Sequence, residues 1–170
     1  KEKVAQMATD TYVGESATYR ASKSIEDRIA LRQKSGNSFQ EAELKGVEEY
    51  VIECSILKVA LSEDCQNIAD QGIQIYGGMG FSAETPIEAA WRDSRIARIY
   101  EGTNEINRML SVGMLIKKAM KGHIDFIKPA TKVADELMEI PSFDIPDLTE
   151  LFSQEKLILI NIKKVFLMLA

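Results

Sequence analysis

Apolar residues recur at helical spacing along almost the whole chain, and no stretch alternates convincingly with a period of two. The first stripe covers about residues 1–34 and ends at Gly36, which suits a left-handed helix terminus. Ser38 and Glu41 then have the spacing of a capping box, and the helix that they begin is expected to reach about Ile75. The pattern therefore predicts an all-α fold.

The helix predicted after Ser38 is apolar on more than one side. Its main stripe advances in steps of three and four residues, with Lys58 and Gly72 as exceptions; its members are Leu44, Val47, Val51, Cys54, Leu61, Cys65, Ile68 and Ile75. A second apolar edge consists of Ile52, Ile56 and Val59. A helix of this kind is typical of the centre of a bundle. Small residues of the first helix would let a neighbouring helix approach closely: Ala8, Gly14, Ala17 and Ala21.

Three glycines at 77–80 end this helix and predict a loop. Thr85, Pro86 and Glu88 then predict a short helix over about 86–95, with Thr85 as the N-cap and Glu88 closing a capping box. Residues 98–102 are expected to be irregular.

Thr103 or Asn104 is expected to cap the next helix, which ends at Gly122. A further helix is predicted over 123–139, weakened at Pro129. Two prolines bracket a predicted linker at 141–146.

A final helix is predicted from Asp147 or Ser153 onward. We expect two regions, a helical bundle over 1–122 and a helical extension over 123–170. Both ends of the chain lack the capping signals of a complete helix, which favours a piece of a longer protein.

Composition narrows the class of protein. The chain has 170 residues, 45% of them hydrophobic and 28% charged, with a net charge of −5 and both signs interspersed. This balance argues against a nucleic-acid partner. Cys54 and Cys65 are expected to be reduced, partly buried thiols, and no metal site is expected. No signal peptide is visible, and the apolar stretch at 157–170 is shorter than a transmembrane segment and is interrupted by polar residues.

The residue types alone leave several interpretations open. Glu101 suits either a general base in a dry pocket or an anion at a helix N-terminus. The loop at 77–80 suits either a plain turn or a place where backbone meets a nucleotide. Arg92, Arg95 and Arg98 suit phosphate binding, or pairing with nearby carboxylates such as Glu88 and Asp93.

The combination of these motifs resembles the C-terminal helical domain of the flavin-dependent acyl-CoA dehydrogenases. The resemblance covers most of the chain from Ser38 to about Gly122, and its motifs are Gln74-x-x-Gly77-Gly78-x-Gly80-Phe81, Pro86-x-Glu88, Arg92-Asp93 and the run from Ile99 to Ile106. It implies a four-helix bundle without its first helix. Residues from His123 onward are similar to the start of the extra C-terminal region of the very-long-chain type.

The resemblance also implies roles for individual residues. Glu101 would remove the α-proton of an acyl-CoA thioester, while the β-hydrogen leaves as hydride to FAD and gives a trans-2-enoyl-CoA. The backbone N–H of Glu101 would bind the thioester oxygen. Gly102 would let the acyl chain pass close to the backbone. The residues implied in FAD binding are Gln74, Gly77 and Gly78, toward a neighbouring subunit's cofactor, and Thr103, Asn104 and Glu105.

The implied partners are acyl-CoA, an electron-transfer flavoprotein and further copies of the same chain. The piece alone is expected to be inactive, because the family's middle domain supplies much of the flavin contact. The expected location is the cytoplasm, or the mitochondrial matrix in a eukaryote. Two alternatives stay open: a non-catalytic helical assembly protein of the same fold, and an acyl-CoA oxidase.

Overall fold

The computed structural model describes residues 1–138 and 149–169, and no strand occurs in those ranges. The prediction of an all-α fold is therefore confirmed. The helices are α1 (Glu2–Lys34), α2 (Phe39–Glu49), α3 (Val51–Tyr76), α4 (Pro86–Ile96), α5 (Asn104–Met120), α6 (Ile127–Met138) and α7 (Ser153–Leu169), and a 3₁₀ turn spans Gly77–Phe81.

The chain forms two compact units, Lys1–Leu115 and Ile116–Ala170, so that the division falls inside α5. The predicted domain boundary at residue 122 stays a prediction. The predicted linker at 141–146 and a helix start at Asp147 lie outside the described residues, whereas the alternative start at Ser153 is confirmed.

The turn between α1 and α2 has the conformation that its sequence predicts. Gly36 has a φ of 91°, and the N–H of Asn37 donates to the carbonyl of Arg32 at 3.3 Å, as in a helix end closed by a left-handed glycine. The Ser38 hydroxyl accepts from the Glu41 N–H at 3.3 Å, and the Glu41 carboxylate accepts from the Ser38 N–H at 3.4 Å. Both predicted caps are confirmed.

The single helix predicted over 38–75 is wrong, because the chain breaks at Tyr50, where φ is −102° and ψ is 18°. The residue before the break is held from α1: Arg28 and Arg32 donate to the Glu49 carboxylate at 2.6 and 3.0 Å. Burial raises the pKa of Glu49, but the two guanidinium bonds outweigh it and hold that pKa below its ordinary value. These ion pairs tie the last residue of α2 to α1, directly before the break at Tyr50.

The face of α3 that the chain buries includes Ile52 and Val59 of the predicted second edge, but Ile56 of that edge is 54% exposed. Its buried residues are Ile52, Ser55, Val59, Ser62, Ala69 and Gly72. Leu44 and Ile75 of the main stripe are 71% and 49% exposed. Cys54 and Cys65 are free thiols, but both are exposed, so the prediction of partial burial is wrong.

Close helix contacts occur where α1 or α3 carries a glycine. A Cβ added at Gly14 of α1 would lie 2.8 Å from Leu61 of α3, and one added at Gly72 of α3 would lie 2.6 Å from Ile87 of α4. The expected close approach along α1 is therefore confirmed at Gly14. These contacts make α3 the helix on which both α1 and α4 pack.

The start of α4 departs from its predicted cap. Thr85 occupies the N-cap position and Pro86 the first helical position, but the Thr85 hydroxyl makes no bond to the helix. It donates instead to the carbonyls of Met79 and Ser82, at 2.8 and 2.9 Å, and Glu88 pairs with Arg92. The predicted capping box at α4 is wrong, because the Thr85 hydroxyl is directed at carbonyls of the preceding turn and Glu88 pairs with Arg92 instead of the N-cap.

The end of α5 and the start of α6 are also set by backbone chemistry. Gly122 has a φ of 71°, and the His123 N–H donates to the Lys118 carbonyl at 2.9 Å, so the predicted stop is confirmed. The next helix begins at Ile127 rather than at His123. Pro129 lies in its first turn, where a missing N–H costs no helical hydrogen bond, so it does not weaken the helix as predicted.

In the second unit, α6 and α7 pack against each other. The rings of Phe126 and Phe166 have centroids 5.9 Å apart, and Lys164 pairs with Glu136 at 2.7 Å. Within the part of the chain described here, no helix combines the length and the apolar character needed to cross a membrane.

Candidate functional site

The loop between α4 and α5 carries two consecutive residues in the left-handed region. Glu101 has a φ of 56° and Gly102 has a φ of 83°. Glycine adopts this conformation freely, but a glutamate there costs of order 1–3 kcal/mol and persists only where its surroundings impose it. The Glu101 side chain is exposed. The irregular segment predicted before α5 is confirmed, and its strain lies at the predicted catalytic carboxylate.

Hydrogen bonds from two helices fix this loop at the carbonyl of Gly102. Lys58 of α3 donates to that oxygen from Nζ at 2.8 Å, and Asn107 of α5 donates from Nδ2 at 2.8 Å. The same Asn107 amide also donates to the Thr103 carbonyl at 3.1 Å. Both acceptor sites of the Gly102 carbonyl are therefore engaged, which fixes the orientation of the following peptide plane.

Asn104, the first residue of α5, points into the structure and is 1% exposed. Its Nδ2 donates to Ser62 Oγ at 2.9 Å and to Glu63 Oε1 at 3.2 Å, and its Oδ1 accepts from Lys58 Nζ at 2.8 Å. This predicted cofactor residue thus uses its side chain to attach the start of α5 to α3.

The Glu63 carboxylate interacts with two arginines beside the point where the start of α5 is attached to α3. Arg108 donates to it at 2.7 Å, and Arg98 lies 3.5 Å away. The Arg108 bond lowers the pKa of Glu63 most, burial opposes it, and the Asn104 amide and the charge of Arg98 add to the lowering. The carboxylate is therefore ionised at neutral pH and orders the side chains beside the loop.

The three arginines that recur every third residue do not share a helix face, because α4 ends at Ile96, before Arg98. Two of them pair with carboxylates, Arg92 with Glu88 and Arg98 with Glu63. Pairing was one of the two open interpretations, and the structure supports it for these two. Asp93 takes part in none of the ion pairs found in residues 1–138 and 149–169.

The three glycines of the 3₁₀ turn differ in backbone conformation and in packing. Gly77 has a φ of 63°. A Cβ added at Gly80 would lie 2.6 Å from the Ile73 carbonyl oxygen, so Gly80 is required by packing. A Cβ added at Gly78 would have no atom of the described chain within 4 Å, and its backbone is therefore open to an approaching molecule.

The predicted site residues form two groups. Residues 101–105 are contiguous at the N-terminus of α5, whereas Gln74, Gly77 and Gly78 are exposed at the end of α3. Within the described residues no hydrogen bond or ion pair joins the two groups. The pKa of Glu105 is lowered, first by its own backbone N–H and then by the Thr103 hydroxyl.

Sequence reasoning missed Lys58, Ser62 and Asn107, which hold the loop. Lys58 left a signal, because it interrupts an apolar stripe at a position where the spacing calls for an apolar residue. Ser62 and Asn107 left none, since small polar residues on helices are common.

Comparisons with known proteins identify the family of this chain. Residues 1–114 match the sequence profile described as acyl-CoA dehydrogenase, C-terminal domain. The chain is 39% identical to a probable acyl-CoA dehydrogenase of Bacillus subtilis, over 100% of this chain and 28% of that protein. It is 34% identical to the mitochondrial very long-chain specific acyl-CoA dehydrogenase of Mus musculus, over 81% of this chain and 17% of that protein.

A solved structure gives the same picture. The fold matches the crystal structure of an acyl-CoA dehydrogenase complexed with FAD from Bacillus anthracis, with a TM-score of 0.87 and 42% identity, over 98% of this chain and 28% of that chain. The present chain thus spans less than a third of the length of these relatives. The chain belongs to the acyl-CoA dehydrogenase family, and its residues 1–114 match that family's C-terminal domain.

Proposed function

We propose that the full-length protein is an FAD-dependent acyl-CoA dehydrogenase that converts long-chain fatty acyl-CoA to trans-2-enoyl-CoA in fatty acid β-oxidation, with Glu101 as the base. The observation that carries this proposal is the left-handed conformation of Glu101, with a φ of 56°. Backbone strain of this kind clusters at functional sites. The similarity to acyl-CoA dehydrogenases, one of them complexed with FAD, supports it.

The loop offers two groups to an acyl-CoA thioester. The exposed Glu101 carboxylate can accept the α-proton. Among the described residues, no acceptor takes the Glu101 backbone N–H, so this donor is free for the thioester oxygen, on which negative charge develops as the proton leaves. Gly102 is exposed and has no Cβ, which leaves room for the acyl chain beside the backbone.

The residues at the end of α3 fit the flavin cofactor of a neighbouring subunit. Gln74, Gly77 and Gly78 are exposed, and the space above Gly78 is open. When bound, FAD would accept the hydrogen that leaves the β-carbon as hydride.

The N-terminus of α5 fits the polar part of the chain's own FAD. The positive end of the helix dipole near Thr103 and Asn104 favours a diphosphate, while the Asn104 and Ile106 N–H groups already donate to the Arg98 carbonyl and the Thr103 hydroxyl, at 3.1 and 3.2 Å. Asn104 acts through its backbone position, because its amide is bonded to α3. The pKa of Glu105 is lowered by its own N–H and by Thr103, so this charged carboxylate suits the hydroxyl and amino groups of the adenosine side rather than the diphosphate.

Apolar side chains around the 3₁₀ turn support an interface between copies of the chain. Ile75, Tyr76, Met79 and Phe81 are 49%, 52%, 54% and 82% exposed. Burial of such side chains contributes a large favourable free energy to protein association. We therefore propose a homo-oligomer whose flavin sites need two subunits, with electron-transfer flavoprotein as acceptor and a cytoplasmic or mitochondrial-matrix location. On this proposal the 170-residue piece is inactive alone.

The test is Glu101→Gln in the full-length protein. Because the amide cannot take up the proton, turnover of acyl-CoA should fall by about 10²–10⁴-fold or more, while bound FAD stays at the wild-type level. Near-normal turnover would contradict the base assignment.

An activity profile over chain lengths tests the substrate, and a maximum on butyryl-CoA would contradict a long-chain preference. Rapid peroxide formation without an electron-transfer flavoprotein would identify an oxidase.

A second candidate is a non-catalytic helical assembly protein of the same fold. The exposed apolar residues of α3 and α5 favour it, since they suit packing against other helices. Full-length protein that is purified without flavin absorbance and cannot take up added FAD would support this alternative over the dehydrogenase.

A further inference from the structure

Lys58 is an unusual residue for its position on α3. It occupies a step of the apolar stripe of α3, is half-buried, and makes none of the ion pairs that the structure shows in residues 1–138 and 149–169. A lysine in such a position normally extends its ammonium group to water. Here Nζ lies 2.8 Å from the Gly102 carbonyl oxygen and 2.8 Å from Asn104 Oδ1.

We propose that Lys58 is a positioning residue for proton abstraction, which sets the orientation of Glu101 by holding the carbonyl of the next residue. This inference rests on the proposed function of Glu101. It adds a residue from a different helix, 43 positions earlier in the chain, to the machinery of that site.

The geometry explains why an external tether is needed. Glu101 and Gly102 both have positive φ, at 56° and 83°. Glycine has many other accessible conformations, so the strain at Glu101 would relax unless the peptide that follows were fixed. The charge-assisted bond from Lys58 is stronger than a neutral one, and it connects the loop directly to the central helix α3.

Asn107 cannot replace this tether. It donates to the same Gly102 carbonyl at 2.8 Å, but it lies on α5, the helix that follows the loop directly. The Asn107 bond fixes the loop relative to α5, and Asn104 attaches the start of α5 to Ser62 and Glu63 of α3. Lys58 alone among these side chains joins α3 directly to the carbonyl that follows Glu101. Loss of Lys58 should therefore displace the carboxylate without unfolding the loop.

The test uses the full-length protein loaded with FAD and compares Lys58→Met with Lys58→Arg. A displacement of about 1 Å costs on the order of 10²-fold in rate, so Lys58→Met should lower kcat by about 10–100-fold. KM and bound FAD should remain near wild type. The exchange of the substrate's α-hydrogen with deuterated water should slow by the same factor. Lys58→Arg, which can still donate to both oxygens, should recover most of kcat.

Lys45→Met is the matched control, because Lys45 is an exposed lysine of α2 that makes no side-chain bond within the described residues. It should leave kcat unchanged. If Lys58→Met does not bind FAD, Lys58→Gln gives the same readout, since its shorter amide cannot reach both oxygens: kcat should fall at unchanged KM.

Two results would overturn the positioning role alone: wild-type kcat in Lys58→Met, or a kcat that recovers fully once activity is divided by bound FAD. Turnover that persists in Glu101→Gln would overturn the proposed function and this inference together. An inactive Glu101→Gln variant together with a fully active Lys58→Met variant would support the proposed function and contradict the role of Lys58.

Discussion

The side-chain amide of Asn107 donates a hydrogen bond to the carbonyl oxygen of Gly102, five residues earlier, at 2.8 Å. The same amide nitrogen would lie 3.1 Å from a Cβ at residue 102. The contact that fixes the loop therefore also excludes a larger residue from it. Gly102 is required twice, by its φ of 83° and by the closeness of Asn107.

Gly102→Ala should lower the free energy of unfolding by about 1–2 kcal/mol, because an alanine at positive φ is strained. The matched control is Gly113→Ala in α5, where a Cβ would meet no described atom within 4 Å. There alanine should stabilise the helix by up to about 1 kcal/mol. Urea unfolding of the full-length variants, followed by circular dichroism, measures both. Equal shifts in the two variants would contradict the assignment of strain to residue 102.

Gly80→Ala and Gly78→Ala should separate packing from ligand contact. A Cβ at Gly80 would lie 2.6 Å from the Ile73 carbonyl oxygen and 2.9 Å from its Cα, so the backbone must shift. We expect a loss of about 1–3 kcal/mol in unfolding free energy. At Gly78 the space is open, and Gly78→Ala should fold normally while binding less FAD. Wild-type FAD content in Gly78→Ala would remove Gly78 from the cofactor site.

Glu63 should make stability depend on pH in the acid range. Its pKa is lowered from the ordinary value of 4.5, first by Arg108. The folded state therefore favours the ionised carboxylate, and this contribution is present above pH 4.5 and is lost as the pH falls through the lower folded value. The difference in unfolding free energy between wild type and Glu63→Gln should be largest at neutral pH and shrink below pH 4.5.

Glu53→Gln is the control for that titration, since Glu53 is exposed on the same helix and takes part in no ion pair of the described residues. Its difference from wild type should vary less with pH. A difference at Glu63 that stays constant from pH 7 to pH 3 would contradict a stabilising role for its charge.

Glu101→Gly should stabilise the fold while it abolishes activity. The left-handed conformation costs a glutamate about 1–2 kcal/mol, whereas glycine loses about 0.5–1 kcal/mol in chain entropy, so the net gain is about 0–1.5 kcal/mol. Met109→Gly is the control, because this exposed residue lies inside α5 and should lose about 1 kcal/mol. A less stable Glu101→Gly would show that contacts of the side chain outweigh the strain.

Signals that act within a few residues could be predicted from the sequence. Gly36 and the pair Ser38 and Glu41 correctly predicted the turn between α1 and α2, because each acts only on residues within a few positions of itself. The cap at Thr85 failed because its hydroxyl bonds Met79 and Ser82, and those carbonyls are brought near by a 3₁₀ turn that the three glycines did not reveal.

The burial of α3 could not be predicted, because both of its edges are apolar and its neighbours decide which one is covered. The two exceptions in its stripe are explained by contacts distant in the sequence. Gly72 makes room for Ile87 of α4, and Lys58 reaches the Gly102 carbonyl. The resemblance named Glu101, but nothing in the residue types around it predicted the positive φ of a glutamate.

The conformation of Glu101 bears on how this position has been selected. On stability alone, the best residue at a φ of 56° is glycine, and the loop already has one at the next position. A lineage that lost the reaction would gain folding free energy from the first mutation to glycine at residue 101. On the proposed function, we therefore expect glutamate at this position in relatives that carry out the reaction, and its replacement by glycine in relatives that kept only the fold.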